Sequence, residues 1–268
     1  MSPADRISRF VFGFYMVAFF VYLFAPLAIM GAATFNTSRF PTVTPWQGTT
    51  LQWFSALWAD TAMWQSVWTS VVVAVFVVAI SLPIGTAAAL ILTSLHARAK
   101  GFLYALMVSP LLTPGVVIGI STLVLWRQLG VGGGLFLIVV AQASFITCYV
   151  MLMVAARLQR FDRAQEEAAL GLGASKFMVF RRVLLPFLKP ALFAAAFLAV
   201  LQSVENYNTT LFVRDFDTPL TVYIATKVRT GLTPAVNALA LVMIAITVLG
   251  AIAFEIARRR QAAAAGRH

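Results

Sequence analysis

The sequence is poor in the residues that support chemistry in water. Among its 268 residues 9 are acidic and 2 are histidine, and cysteine occurs once, at Cys148. A single cysteine excludes an intrachain disulfide, and its apolar neighbours mark Cys148 as a small packing residue. His96, in a loop between apolar runs, and His268, at the end of the chain, cannot join it in a buried metal cluster. With no histidine inside an apolar run, the nucleophile–base set or metal ligands of a membrane-embedded enzyme are missing. No stretch matches the phosphate-cradling G-x-x-x-x-G-K-[S/T] loop. The nearest, Gly171-Leu172-Gly173-Ala174-Ser175-Lys176, has its glycines and lysine in the wrong order and no buried strand before it. Catalytic residues and metal ligands are therefore expected to be absent. An ion-coupled carrier is the alternative class for a membrane chain, but it normally shows several buried carboxylates and related halves. Neither is evident here.

Charge is scarce as well: 11% of residues are charged and 61% are apolar, against roughly 25% and 45–50% in soluble domains. One aqueous core could not hide that much apolar surface. An all-α membrane protein is expected, with six helices of the roughly 20 residues that a bilayer core requires. They are predicted at 11–33, 66–93, 102–126, 135–156, 191–213 and 234–257, forming a single transmembrane domain over 1–268. The first is too long and lacks the cleavage site of a signal peptide, so it reads as a retained span.

The formal charge of +11 raises the possibility of nucleic acid, but the placement of the cations excludes it. Fifteen of the 20 Lys and Arg residues fall at the two ends, in the loop after the second span and in the loop 157–190. The positive-inside rule makes that side cytoplasmic, including both termini, with the basic excess facing anionic lipid headgroups. Two outer segments remain. Thr34–Gln65 carries Trp46, Trp53, Trp58 and Trp64, as expected of a headgroup-level anchor, and Arg214–Thr233 includes a short amphipathic stretch, Val222–Val228.

The cytoplasmic stretch 157–190 interrupts the apolar pattern. Asp162 followed by Gln165 is a capping-box arrangement, with Glu166 and Glu167 in the first turn, where the helix dipole favours acids. Ala168 and Ala169 extend that helix, Gly171 and Gly173 end or bend it, and Ser175 caps a second one running to Leu185. Pro186 and Pro190 are expected to stop it before the fifth span. On physical grounds this element is either an amphipathic helix lying flat on the membrane or a projecting elbow that another protein grips.

The spacing Glu167-Ala168-Ala169, three residues, Gly173, nine residues, Val183, one residue, Leu185-Pro186 resembles the signature loop of permease subunits in binding-protein-dependent ABC importers. Isoleucine is usual where Val183 stands. The likeness extends along nearly the whole chain and is greatest to the smaller permease of the spermidine/putrescine group. Supporting stretches are Thr34–Phe40, Ser109-Pro110, Arg157-Leu158, Phe161-Asp162, Leu172–Ser175 and Pro234–Ala240. The resemblance implies a type I importer fold in a bacterial inner membrane, with this chain as a non-catalytic subunit. It also implies a second and different homologous permease, a cytoplasmic ATPase dimer holding ATP and Mg and gripping the 162–186 loops, and a periplasmic binding protein. Polyamines lead as substrate, followed by opines, amino-acid derivatives and other small polar solutes.

Ionisable groups within spans are few and informative. Glu205, followed by Asn206, Tyr207 and Asn208 and preceded by Gln202, interrupts the fifth span. It sits either at the outer mouth or in the pathway. The acidic pair commoner in polyamine permeases is Glu205-Asn206 here. Ser109-Pro110 and Thr113-Pro114 predict a kinked third span, either lining the pathway or serving packing alone. Pro26 and Pro83 read as ordinary kinks, Gly130–Gly134 as a flexible outer turn, and Glu255 as an interfacial charge paired with Arg258 and Arg259.

Overall fold

The computed structural model describes residues 3–95, 97–231 and 233–265. His96, His268 and the side chains of Glu255, Arg258 and Arg259 lie outside the described residues. The chain is helical almost throughout: α1 (Pro3–Thr34), α2 (Gln52–Ala59), α3 (Thr61–Ser94), α4 (Ala97–Leu112), α5 (Gly115–Gln128), α6 (Leu135–Leu158), α7 (Ala164–Gly171) and α8 (Lys176–Val179). A π-helical turn at Phe180–Leu184 follows, then α9 (Leu185–Glu205), α10 (Thr210–Val213), α11 (Leu220–Thr230) and α12 (Pro234–Ala265).

Four of the six predicted spans are unbroken helix, whereas the third is interrupted at 113–114 and the fifth at 206–209. Ser8–Thr34, Thr61–Ser94, Leu135–Leu158 and Lys176–Glu205 are each long and apolar enough to cross a bilayer as one helix. Lys100–Leu112 and Gly115–Gln128 make a fifth crossing if read as one broken span, and Pro234–Leu249 is apolar but shorter.

The chain divides into two compact units, Met1–Thr61 with Thr226–His268, and Ala62–Ala225. In the first, α12 packs on both α1 and α2. Residues 35–50 are tied into a knot by the fully buried Asn36: its amide donates to the carbonyls of Thr42 (2.9 Å) and Pro45 (3.2 Å), and its oxygen accepts from the backbone of Gln47 (3.0 Å). Trp53 Nε1 donates to Asn36 O (2.8 Å), so this tryptophan is a structural strut, whereas Trp46 and Trp58 stay exposed, as headgroup anchors would be.

In the second unit α6 is the central post. Leu137, Ile138, Ile146, Val150 and Val154 are buried against Val73 and Val77 of α3 and Leu188, Ala195 and Ala199 of α9. Cys148 Sγ donates to Met107 O (2.9 Å) within this packing. Facing helices approach closely where side chains are small: a Cβ on Gly85 of α3 would lie 2.7 Å from Val150.

Two proline-containing predictions are revised. The third span does not merely kink. α4 and α5 meet at 99°, because Pro110 and Pro114 both remove backbone donors and Pro114 holds Thr113 out of the helical region. The carbonyls left behind are satisfied by hydroxyls: Ser109 Oγ donates to Leu106 O (2.8 Å) and Thr113 Oγ1 to Ser109 O (2.9 Å). Conversely, Pro186 and Pro190 do not stop the helix begun at Ser175. At the π-helical turn Leu185 N bonds Phe180 O, five residues back, so the helix widens just before Pro186 and continues through Pro190, which lies inside α9. The fifth span thus starts at Lys176, well before the predicted 191, and ends at Glu205. The Gly130–Gly134 turn is docked rather than free: Gly134 N bonds Val213 O (2.7 Å), and Leu135 N, opening α6, bonds the Asp217 carboxylate (2.7 Å).

Candidate functional site

Two places gather the residues that the sequence singles out. The first is the elbow. Asp162 Oδ1 accepts from Ala164 N (3.0 Å), so Asp162 starts α7 by an Asx-type turn, and Arg163 stands at the cap position of the expected capping box. α7 ends in a Schellman motif: Gly173 N bonds Leu170 O (2.9 Å), Ala174 N bonds Ala169 O (3.1 Å), and Gly173 takes φ +84°, the left-handed conformation that this cap requires. Ser175 Oγ then accepts from Met178 N (3.3 Å) and starts the next helix.

Glu166, Glu167, Ala168, Gly171 and Gly173 are exposed, and Ala169 is half-buried. Val183 lies in the π-helical turn, with Leu185 and Pro186 opening α9; Val183 and Leu185 are half-buried and Pro186 is exposed. The elbow presents bare apolar side chains, Leu172 at 90% and Phe177 at 71% exposure, where a flat amphipathic helix would collect them into one stripe. Its base is anchored. Arg163 Nη2 donates to Thr93 O (2.8 Å) in the last turn of α3, a favourable place for a cation. Arg157 lies 4.1 Å over the Phe187 ring while donating to Phe187 O (3.2 Å).

The second place is a cavity of about 270 Å³ where α4, α5, α6 and α9 meet. Gln202, Glu205, Asn206, Tyr207 and Asn208 all line it, as do Pro110, Thr113 and Gly115 from the broken span and Phe145 and Tyr149 from α6. The geometry follows from the end of α9: beyond Glu205 the backbone extends at Asn206 (φ −69°, ψ 104°) and becomes helical again only at Thr210. Glu205 carries the only formal charge among the cavity's described lining residues.

α5 closes on this break through small residues. A Cβ on Gly119 would lie 2.6 Å from the Thr209 carbonyl oxygen, and one on Gly115 would lie 2.9 Å from Thr209 Oγ1. That hydroxyl is buried without a hydrogen-bond partner. One contributor was missed from the sequence. Gln142 of α6, 1% exposed, accepts from Ser203 Oγ (2.6 Å) and donates to Thr210 Oγ1 (2.8 Å). Its signal was a lone carboxamide amid the apolar run 135–156, where such a group needs internal partners.

The family described as "Binding-protein-dependent transport system inner membrane component" matches residues 81–263. Among curated relatives, the "Spermidine/putrescine transport system permease protein PotC" of Escherichia coli (strain K12) is 32% identical over 256 residues, covering 94% of this chain and 96% of the relative. The "Putrescine transport system permease protein PotI" of the same strain is 32% identical over 252 residues, covering 90% and 89%. Among solved structures, a bacterial ABC transporter involved in the import of the acidic polysaccharide alginate matches with TM-score 0.72 at 16% identity, over 97% of this chain and 98% of that one. An amino acid ABC transporter matches with TM-score 0.57 at 20% identity, over 79% and 100%. The last two are similarities of fold.

Proposed function

Since this chain belongs to the family of binding-protein-dependent transport system inner membrane components and is a permease subunit of an ABC importer, we propose that it forms half of a pathway for a polyamine or a related small organic solute. A second, homologous permease supplies the other half, and a binding protein delivers the solute on the outer side. A pair of cytoplasmic ATPases, holding ATP and Mg, grips the 162–186 elbow. Both termini face the cytoplasm, in line with the distribution of the Lys and Arg residues.

The observation that carries this reading is the continuous helical path from Lys176 to Glu205, 30 residues long. At 1.5 Å per residue it spans about 45 Å, with the elbow at one end and the cavity at the other. Force applied to the elbow reaches the cavity through a rod, so the two arrangements of an alternating pathway become states of one element that ATP binding biases. The cavity supports the solute class. A carboxylate with no lysine or arginine among the cavity's described lining residues draws cations, and the amides and hydroxyls of Gln202, Asn206, Asn208, Thr113 and Tyr149 can replace water around a small polar molecule. The relatives named for spermidine and putrescine point the same way.

Reconstitution of this chain with the second permease, the ATPases and the binding protein in proteoliposomes tests the assignment. ATP-dependent uptake of putrescine or spermidine is expected, and Glu205→Gln should reduce its initial rate by roughly tenfold, about 1.4 kcal/mol of lost attraction. Uptake that persists without ATP overturns the ATPase-driven reading. Failure to move any amine overturns the solute class, and an unchanged rate in Glu205→Gln overturns the assignment of the cavity to the pathway.

A further inference from the structure

We propose that Gln142 is a positioning residue for the cavity: its carboxamide staples the two sides of the helix break that presents Glu205 to Asn208. The inference rests on the cavity reading above and adds to it the element that holds the cavity wall in place.

Ser203 is in the last turn before the break, and Thr210 opens the helix after it. Both are bound by the same side chain from a third element. Gln142 Oε1 accepts from Ser203 Oγ at 2.6 Å, and Gln142 Nε2 donates to Thr210 Oγ1 at 2.8 Å. Thr210 passes the link on, since its backbone N–H (3.3 Å) and its hydroxyl (3.2 Å) both reach Asn206 Oδ1. Asn206 O in turn accepts from Thr221 Oγ1 (3.2 Å). The lining residues Glu205–Asn208 therefore hang between two points pinned to one amide. That amide lies on α6, the post that also packs the length of α9.

Gln142, Ser203 and Thr210 are 1%, 5% and 0% exposed. Water does not compete for these bonds, and without the amide Thr210 keeps only its bond to Asn206 Oδ1 while Ser203 loses the bond its hydroxyl makes. A purely packing role would be met by leucine, which fills the same space with no polar group to satisfy. The amide is suited to another task, holding two separate chain segments at a fixed spacing through one acceptor and one donor.

The test uses the assembled transporter in proteoliposomes with two readouts: the initial rate of polyamine uptake, and the rate at which a small water-soluble thiol reagent labels Asn208→Cys in a Cys148→Ala background. With the staple gone in Gln142→Leu, labelling should rise roughly fivefold as the segment opens locally. Uptake should fall roughly tenfold, as expected when liganding groups drift from position.

Because Gln142→Leu orphans the buried Ser203 hydroxyl, leaves the Thr210 hydroxyl with Asn206 alone and can simply fail to fold, the triple variant Gln142→Leu/Ser203→Ala/Thr210→Val removes all three polar groups together. It should regain the parental melting temperature while keeping the fast labelling and slow uptake. Parental labelling and uptake in the stable triple variant would show that Gln142 serves stability alone and would overturn the proposal. Glu205→Gln, run alongside, separates the two claims. Unchanged uptake there removes the cavity reading itself, whereas impaired uptake there with parental behaviour in the triple variant removes only the staple.

Discussion

Replacing Gly173 perturbs the elbow at one backbone angle and little else. Its φ of +84° is the left-handed conformation, while a Cβ built there meets nothing within 4 Å. Alanine therefore introduces strain without a clash, about 1–2 kcal/mol. At 1.4 kcal/mol per factor of ten, the population with the observed elbow falls roughly 5- to 30-fold against alternatives in which Gly173 N and Ala174 N release Leu170 O and Ala169 O. The apparent affinity of the ATPase for the permease should drop by the same fraction once the alternatives dominate, because only the competent conformer docks. Asparagine, which tolerates this conformation at helix C-caps, should restore most of the loss. Gly171→Ala, one turn-end away in helical backbone with open space around it, should match the parent or exceed it slightly. Gly173→Arg adds a long cation to the same strain and should leave the permease inserted but hydrolysis uncoupled from uptake. ATPase binding and ATP-driven uptake in proteoliposomes give the ranking Gly ≈ Asn > Ala > Arg at position 173. If Gly173→Ala behaves like Gly171→Ala, or asparagine is no better than alanine, the backbone conformation is not what the ATPase reads.

Two further outcomes follow from local geometry. Gly119→Ala places a methyl 2.6 Å from the Thr209 carbonyl, which is backbone and cannot rotate away, whereas Gly115→Ala meets the Thr209 hydroxyl at 2.9 Å. The first should lower the melting temperature and uptake together, by an overpacking cost of about 1–3 kcal/mol, and the second markedly less; equal effects would refute the asymmetry. Asp217→Ala removes the carboxylate that binds Leu135 N at the start of α6 and should cost about 1 kcal/mol, read as a fall of a few degrees in a thermal melt, with Asp217→Asn keeping an acceptor and losing less than half as much.

Much of this molecule is legible in its sequence because the bilayer leaves few choices. Long apolar runs must become helices when no water is present to satisfy their backbone, so the apolar segments are legible as helices, four of them long enough to cross alone and a fifth if α4 and α5 form one span. The Glu205–Asn208 interruption marked where the fifth span breaks, and the structure places all five of the singled-out residues from Gln202 to Asn208 around one cavity. What stayed hidden depends on partners distant in sequence. Nothing near Gln142 signals that Ser203 and Thr210 meet it, 61 and 68 residues away. Nothing near Arg163 signals the α3 carbonyl that it caps, and Asp217 gives no local sign of binding the start of α6.

The prolines mislead in an instructive way. Pro110 and Pro114 predict a kink and make a near right angle, while Pro186 and Pro190 predict a stop and are passed through. A missing N–H decides neither outcome by itself. Ser109 and Thr113 supply hydroxyls that make a sharp turn cheap at Pro110, whereas the π-helical turn at Phe180–Leu184 widens the helix just ahead of Pro186 and lets it continue. The difference bears on mechanism. An elbow separated from the membrane by a broken helix would swing on a hinge and transmit little. One that runs unbroken from Lys176 into α9 is joined directly to the end of that helix, where Glu205 sits.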